Sequence, residues 1–402
     1  MAATLTAYND ALKRIWTQDR LEEQIYQDTP LLGKIEKLTR HKVGEVARVP
    51  LHVSRNGGYT ALPAGGGNLN TAGNQGISKA EYNYTNHHQQ IAIQGDAIDG
   101  TSSNVLSVAE VIDTEVKGAL TDLKRQLQRQ LFLNGDALIA QCRTSDSNDV
   151  DLNTTSGKNA IERGWIFVGQ PVDVGTAASE ASICDGVTVT AVDATNYAFT
   201  SSGGNVTTES TSEYVSQKDA RSGTTSYEMN GLQNLVDTGS NFAGLTVSGE
   251  PTWAAAGEDN TSQALTLSLM LQQDQKIHQK TGSKADFVVT GLKQERKFYE
   301  LLQQQVRYSS DSGLNAGSQD TVKWKGMSFI CDPDCQDEYM YFGQLKHLFI
   351  VAIDKPYWQN KITGGNILDW VQGTDSYGAK LSYRLNLATN RRNAFTKLSA
   401  LT

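Results

Sequence analysis

The chain has 402 residues, a formal net charge of −8 and 38% hydrophobic residues. That length suits two or three domains, and the acidic balance excludes a dedicated nucleic-acid binder, whose surface would be basic. No segment approaches the ~20 apolar residues of a membrane span, the first residues lack the blocks of a secretory signal, and four cysteines are too sparse for a disulfide framework, which points to free thiols in a reducing cytosol.

Residues 5–28 have helical spacing, with Tyr8, Leu12, Ile15 and Trp16 on one side. Pro30 bounds the segment, because the residue before a proline is pushed out of the α region. The polar face mixes Asp10, Asp19, Glu22 and Glu23 with its bases, unlike the Lys- and Arg-rich face of a membrane-surface helix, so packing on protein is expected. From Val43 the period becomes two, and Val43, Glu45, Ala47, Val49, Leu51 and Val53 share one face of a strand. A return strand is expected over about residues 79–94, with Tyr82 and Tyr84 in it. Between the two lies RNGGYTALPAGGGNLNTAGNQGIS. A two-stranded hairpin is marginal alone, and so long a connection is either functional or disordered. The functional reading is an arm that gains its order by lying on a neighbouring subunit.

Residues 104–136 form the longest helical pattern. Val108, Ile112, Val116, Leu120, Leu123, Leu127 and Leu131 recur every three or four residues, while Glu110, Asp113, Lys117, Lys124, Arg125 and Gln128 fall on the other side. Asn104, or Ser107 paired with Glu110, would start the helix, and Asn134–Gly135 would end it, since glycine accepts the left-handed conformation of a helix C-terminus. At ~1.5 Å per residue this spine would be on the order of 45 Å long. Residues 137–154 suggest a short hairpin. Short alternating runs over 161–224 suggest a small barrel or sandwich inserted in the chain, its core including Trp165, Phe167, Val189 and Tyr197.

The remainder reads as α+β: a helix over 264–280, the strand ADFVVTG, the helix LKQERKFYELLQQQV, and the strands GMSFICD and KHLFIVAI. Then Tyr377, Ala379, Leu381, Tyr383, Leu385 and Leu387 alternate with smaller or polar residues. At ~3.3 Å per residue that strand would span ~40 Å, nearly the length of the spine. NAFTKLSAL is expected to return beside it after a turn at Asn390–Arg392. A long helix lying across a long terminal sheet is the expected central packing.

The chain contains no HExxH pair, no GxSxG elbow, no phosphate-binding P-loop and no strand–GxGxxG–helix unit. CDPDC (331–335) lacks a second ligand pair at zinc spacing and reads as a strand-end turn. DSNDVD (146–151) lacks the glycine and closing glutamate of a calcium loop. The basic groups Arg40–Lys42, Lys124–Arg125 and Arg391–Arg392 read as solvated surface, or as phosphate contacts without sequence reading if the protein surrounds DNA. No catalytic, cofactor-binding or metal site is expected.

An N-terminal helical arm, a long Gly-tipped hairpin, a spine ending in LFLNGD, an α+β domain and a long terminal strand pair resemble, in that order, a tailed-bacteriophage major capsid protein of the Hong Kong 97 type. FVGQPVDV, VTVTAVD, YEMNGLQNLVDTGSNFAGL followed by PTW, and GTDSYGAKLSYRLNLATNRRNAFTKLSAL are similar to one capsid subfamily, and the resemblance covers nearly the whole chain. It implies an α+β capsid fold with an N-terminal arm (1–40), an extended loop (41–94), a peripheral domain with the spine (95–160), a barrel-like insertion (161–224) that departs from the minimal fold, an axial domain (225–369) and peripheral long strands (370–402). It also implies a non-enzymatic, cofactor-free shell protein that forms the hexamers and pentamers of an icosahedral capsid around double-stranded DNA, touched non-specifically. The shell would be assembled in a host bacterial cytoplasm, with a separate scaffold, a portal and room for a decoration protein. Tyr8, Leu12, Ile15 and Trp16 of the arm, and Tyr59, Leu62, Leu69 and Lys79 of the loop, are the expected inter-subunit contacts. Some relatives join a loop lysine to an asparagine of another subunit. Here Lys79 is the only lysine between positions 43 and 116, and nothing pairs it with Asn366, Asn386 or Asn390, so non-covalent contacts are expected. An encapsulin, which shares this fold and encloses enzyme cargo, is the nearest alternative; a β-rich surface adhesin is one of another class.

Overall fold

The structure, a computed structural model, describes residues 29–38, 46–102, 111–144, 149–202, 211–303, 323–359 and 367–402. The arm residues Tyr8, Leu12, Ile15 and Trp16, and Val108 of the spine, lie outside them.

The chain enters through β1 (Glu36–Leu38) and forms a ribbon from β2 (Val46–Ser54) and β3 (Gly76–Asn83). The expected return strand over 79–94 is in fact two elements. After a break at Tyr84, β4 (Thr85–Gln94) leaves the ribbon and pairs instead with the long C-terminal strand. Helix α1 (Gly95–Ser102) follows, then the spine, α2 (Val111–Phe132). Ala119, Leu123, Leu127 and Leu131 of α2 are buried, and Val116 and Leu120 are partly buried against the same core. Ile112 lies in the first turn of the described helix. Gln128, expected on the polar side, is fully buried, as are Arg129 and Gln130, because the C-terminal half of the spine is covered all round. Gly135 then turns with φ of 76°, and a Cβ there would lie 3.0 Å from Asn230 Cα. The turn therefore requires glycine.

β5 (Leu138–Gln141), β6 (Asp149–Asp151), helix α3 (Thr154–Glu162), β7 (Pro171–Thr176), β8 (Ser179–Asp193), β9 (Ala198–Ser202) and β10 (Glu213–Gln217) build the inserted module. Its sheet runs β5-β10-β7-β8-β9-β6. The two outer strands meet at a Cys142–Leu152 bridge, where Arg143 N donates to Asp151 O at 2.9 Å and Asn153 N to Gln141 O at 2.8 Å. The sheet thus closes into a small barrel. Its closing strands come from the segment read as a hairpin, so the module draws on residues ahead of 161. Trp165 and Val189 are buried in its core and Tyr197 is partly buried. Phe167 is not a core residue: it stands 47% exposed at the turn before Gly169.

A two-rung hairpin, β11 (Arg221–Ser222) and β12 (Thr225–Ser226), leads to the axial unit: β13 (Gly257–Asp259), α4 (Leu267–Thr281), β14 (Phe287–Thr290), α5 (Leu292–Gln303), β15 (Lys323–Trp324), β16 (Met327–Cys331) and β17 (Met340–Gly343). Alternation sorts the two faces of its sheet. Val288, Phe329 and Phe342 pack with Met270, Ile277 and Phe298 of the helices, while Phe287, Val289, Ile330 and Tyr341 join the core of the spine. The Phe132 and Tyr341 ring centroids lie 6.5 Å apart.

β18 (Leu348–Ala352), β19 (Tyr357–Trp358), β20 (Asp369–Trp370) and β21 (Ser376–Thr389) complete the peripheral sheet. β21 carries β4 along one edge and β20, β19 and β18 in succession along the other. Leu381, Tyr383, Leu385 and Leu387 are buried, and Tyr377 is half-buried near the strand's start. Tyr383 and Leu385 meet Leu120, Leu123 and Leu127 of the spine around one small apolar recess, and each fully buried leucine contributes roughly 2 kcal/mol. With both edges occupied, β21 has no place for the expected returning strand. β22 (Thr396–Leu398) instead enters the axial sheet between β13 and β17.

Arg392 fixes that departure. It was read with Arg391 as a solvated pair, yet it is completely buried. Its guanidinium donates to Leu235 O at 2.8 Å, Ser240 O at 2.7 Å and Asn234 O at 3.0 Å, and lies 5.1 Å from the centroid of the Phe242 ring. Replacing it strands three carbonyls. Arg392→Ala should therefore destabilise the subunit by about 3–5 kcal/mol in denaturant unfolding, and Arg392→Lys, which lacks the fork, should recover only part of the loss. A shift below about 1 kcal/mol would mean that water replaces the guanidinium.

Candidate assembly surfaces and the interdomain junction

The β2–β3 ribbon alternates buried and exposed side chains. Ala47, Val49, Leu51 and Val53 rest on the body, and Thr252 Oγ1 donates to Val53 O at 2.8 Å. On the outer face Glu81 accepts from Lys79 at 2.8 Å and from Arg48 at 2.9 Å. These bonds, that from Lys79 first, hold the Glu81 carboxyl below its ordinary range. Lys79 is thus an ion-paired ammonium. The asparagines considered beside it are engaged elsewhere: Asn386 bonds Asn83 O and Asn230 N, Asn390 bonds His347, and Asn366 lies outside the described residues.

Beyond the ribbon the tip presents Tyr59 at 83% exposure and Leu69 at 77%, with Leu62 also exposed. Ile77 on β3 adds to this apolar surface, and Trp370, 61% exposed, forms another at the far end of the peripheral sheet. Sequence reading passed over both. Ile77 shares the outer face with Lys79 and Glu81, against the polar–apolar alternation of its strand, and Trp370 belongs to a two-residue edge strand without periodicity. Phe167 and Val168 of the barrel are likewise exposed.

The turn read in CDPDC ties the units together. Asp332 is buried and accepts from Leu31 N at 3.3 Å, from Gln128 Nε2 of the spine and from Asp334 N at 3.0 Å. Asp334 accepts from Trp165 Nε1 at 3.1 Å. Arg163, at the end of α3, donates to Cys335 O at 2.9 Å and pairs with Asp337 at 3.0 Å. One turn thereby joins the entering chain, the spine, the barrel and the axial unit. Beside it, Arg125, Lys158, Arg163, Lys293 and Arg296 face Glu162, Asp334 and Asp337 around a cavity of about 590 Å³. The basic groups named from the sequence fare differently: Arg125 lines this cavity and donates to Arg163 O, Arg391 bonds Thr281 O, Arg392 is interior, and Arg40–Lys42 lies outside the described residues. Burial pushes the Cys331 and Cys335 thiols up, and no described His, Cys, Asp or Glu residues form a group able to hold a metal.

No protein-family model matches the chain, nor does any curated protein. Solved structures do. The capsid asymmetric unit of cyanophage A-1(L) superposes with a TM-score of 0.56 at 14% identity over 96% of each chain. The capsid of a native gene transfer agent particle gives 0.54 at 7% identity over 100% of each, and that of an empty particle 0.52, also at 7%, over 99% of this chain and 98% of the other. The described residues have the Hong Kong 97-type capsid fold, α+β.

Burial lifts the Asp332 carboxyl to about 7 against the bonds it accepts, and Asp334 adds to the lift. An unfolded aspartate titrates near ~4. The raised folded value means that protonation favours the native state, so this contribution is full below about pH 4 and is lost as pH rises through about 7. The stability of the natural chain relative to Asp332→Asn should therefore fall by on the order of 2–4 kcal/mol between pH 4 and pH 8. A difference that stays constant across that range would contradict the assignment.

Proposed function

We propose that this chain is the major capsid protein of a tailed bacteriophage, self-assembling without covalent cross-links into the hexamers and pentamers of an icosahedral shell around double-stranded DNA. The observation that carries this reading is a capsid fold that holds an apolar loop tip out from its own body, with Tyr59 and Leu69 covered by no part of the described chain. An exposed aromatic anchor such as Tyr59 is what an inter-subunit contact uses. Leu62 would join that contact, and the N-terminal arm with Tyr8, Leu12, Ile15 and Trp16 would add a second. The acidic balance suits a wall that contains DNA without gripping it, since phosphate contacts are what make such binding strong. The Arg125–Arg296 cavity supplies the positive charge for occasional non-specific contact. A separate scaffold and a portal, and a decoration protein where present, would complete the particle in the host cytoplasm.

Expressed with its scaffold, the protein should sediment as closed shells, and shells purified from phage should hold nuclease-protected DNA. Enzyme cargo in place of DNA would favour an encapsulin-like compartment. Boiling in detergent should release single chains in the natural protein and in Lys79→Ala alike. A covalent ladder that disappears in Lys79→Ala would overturn the non-covalent part of the reading.

A further inference from the structure

The backbone ladder of the ribbon ends at Ser54–Gly76, yet the tip beyond it continues as a hairpin. Its rungs are made by asparagine side chains. Asn56 Oδ1 accepts from Gly58 N at 2.8 Å and from Gly73 N at 3.2 Å, while its Nδ2 donates to Gly73 O. One amide thus satisfies both backbone groups of Gly73, as a paired strand residue would. Further out, Asn70 Nδ2 donates to Tyr59 O at 2.8 Å and Asn70 N to Thr60 Oγ1 at 2.8 Å. The apex closes with Gly66 N on Pro63 O at 3.0 Å, at a φ of 85°. Gly73 has a steric reason for its identity: a Cβ there would stand 2.9 Å from Asn56 Oδ1 and 3.3 Å from Gly57 N. The second asparagine rung ties the backbone of Tyr59 to Asn70, the neighbour of Leu69, so the two most exposed apolar residues of the tip lie on facing limbs of the hairpin.

We infer that Asn56 and Asn70 are positioning residues that pre-form the loop tip in the free subunit, so that Tyr59 and Leu69 meet a second copy of this chain as a ready-made patch. The inference rests on the proposed reading of the loop as an inter-subunit arm. It departs from the expectation that the arm gains its order by lying on a neighbouring subunit. A tip held by its own hydrogen bonds loses less conformational freedom on docking than a floppy one, which strengthens association without any additional contact.

Hydrogen exchange of the peptide 55–75, followed by mass spectrometry on unassembled subunits, separates the two ideas. The tip should exchange about tenfold more slowly in the natural chain than in Asn56→Ala, with the rest of the protein unchanged. Exchange at the free-peptide rate in the natural chain would overturn the inference. In assembly, Asn56→Ala should need a several-fold higher subunit concentration to close shells. Normal shell formation by Asn56→Ala would also overturn it. If the natural chain closes no shells at all, the proposed function fails, while the exchange comparison still decides whether the asparagines hold the tip.

Discussion

The packing of the spine helix on the peripheral sheet is the contact from which the rest of the structure takes its place. A helix rises ~1.5 Å per residue and a strand ~3.3 Å, so the 22 residues of the spine span about 33 Å against about 46 Å for the 14 of β21. Leu123 and Leu127 of the one and Leu381, Leu385 and Leu387 of the other share a single core. Because β21 is occupied along both edges, its length also orders β4, β18, β19 and β20. The ribbon is then aimed outward by the break at Tyr84, where one long segment passes from the peripheral sheet to the loop.

Polar groups set the angles that this apolar packing leaves free. Arg129 and Glu228 form an ion pair buried on both sides, and Gln130 Oε1 accepts from Met229 N at 3.2 Å. Together with Asp332 and Arg392 they hold the spine, the barrel and the axial sheet in one arrangement. Buried charges are costly when unpaired, so each such pair penalises alternative packings of the same layers. This polar scaffold gives the subunit one defined shape, a uniformity that leucine packing alone would not supply.

The layers were legible because periodicity reports them. The 3.6-residue spacing of Val116 to Leu131 and the strict alternation of Tyr377 to Leu387 point to one long helix and one long strand. What sequence reading placed wrongly depended on partners instead of period. Thr85–Gln94 and Gly76–Asn83 look like one strand, since nothing local reveals that each pairs with a different sheet. Thr396–Leu398 looked like a return of the hairpin type because the full occupancy of β21's edges is a tertiary fact. Gln128 and Arg392 are polar by composition and interior by hydrogen bonding, so their burial had no pattern to announce it. In the loop, length suggested an arm ordered by a neighbour, whereas Asn56 and Asn70 give the tip a definite shape through side-chain bonds that propensity does not count.

Docking of the loop tip on another copy of the same chain is the central proposal. An electron cryomicroscopy reconstruction of the assembled particle at side-chain resolution tests this most directly. Tyr59 and Leu69, exposed in the single subunit, should be covered by an adjacent copy in every capsomer. A closed shell in which both residues remain open to solvent would contradict it.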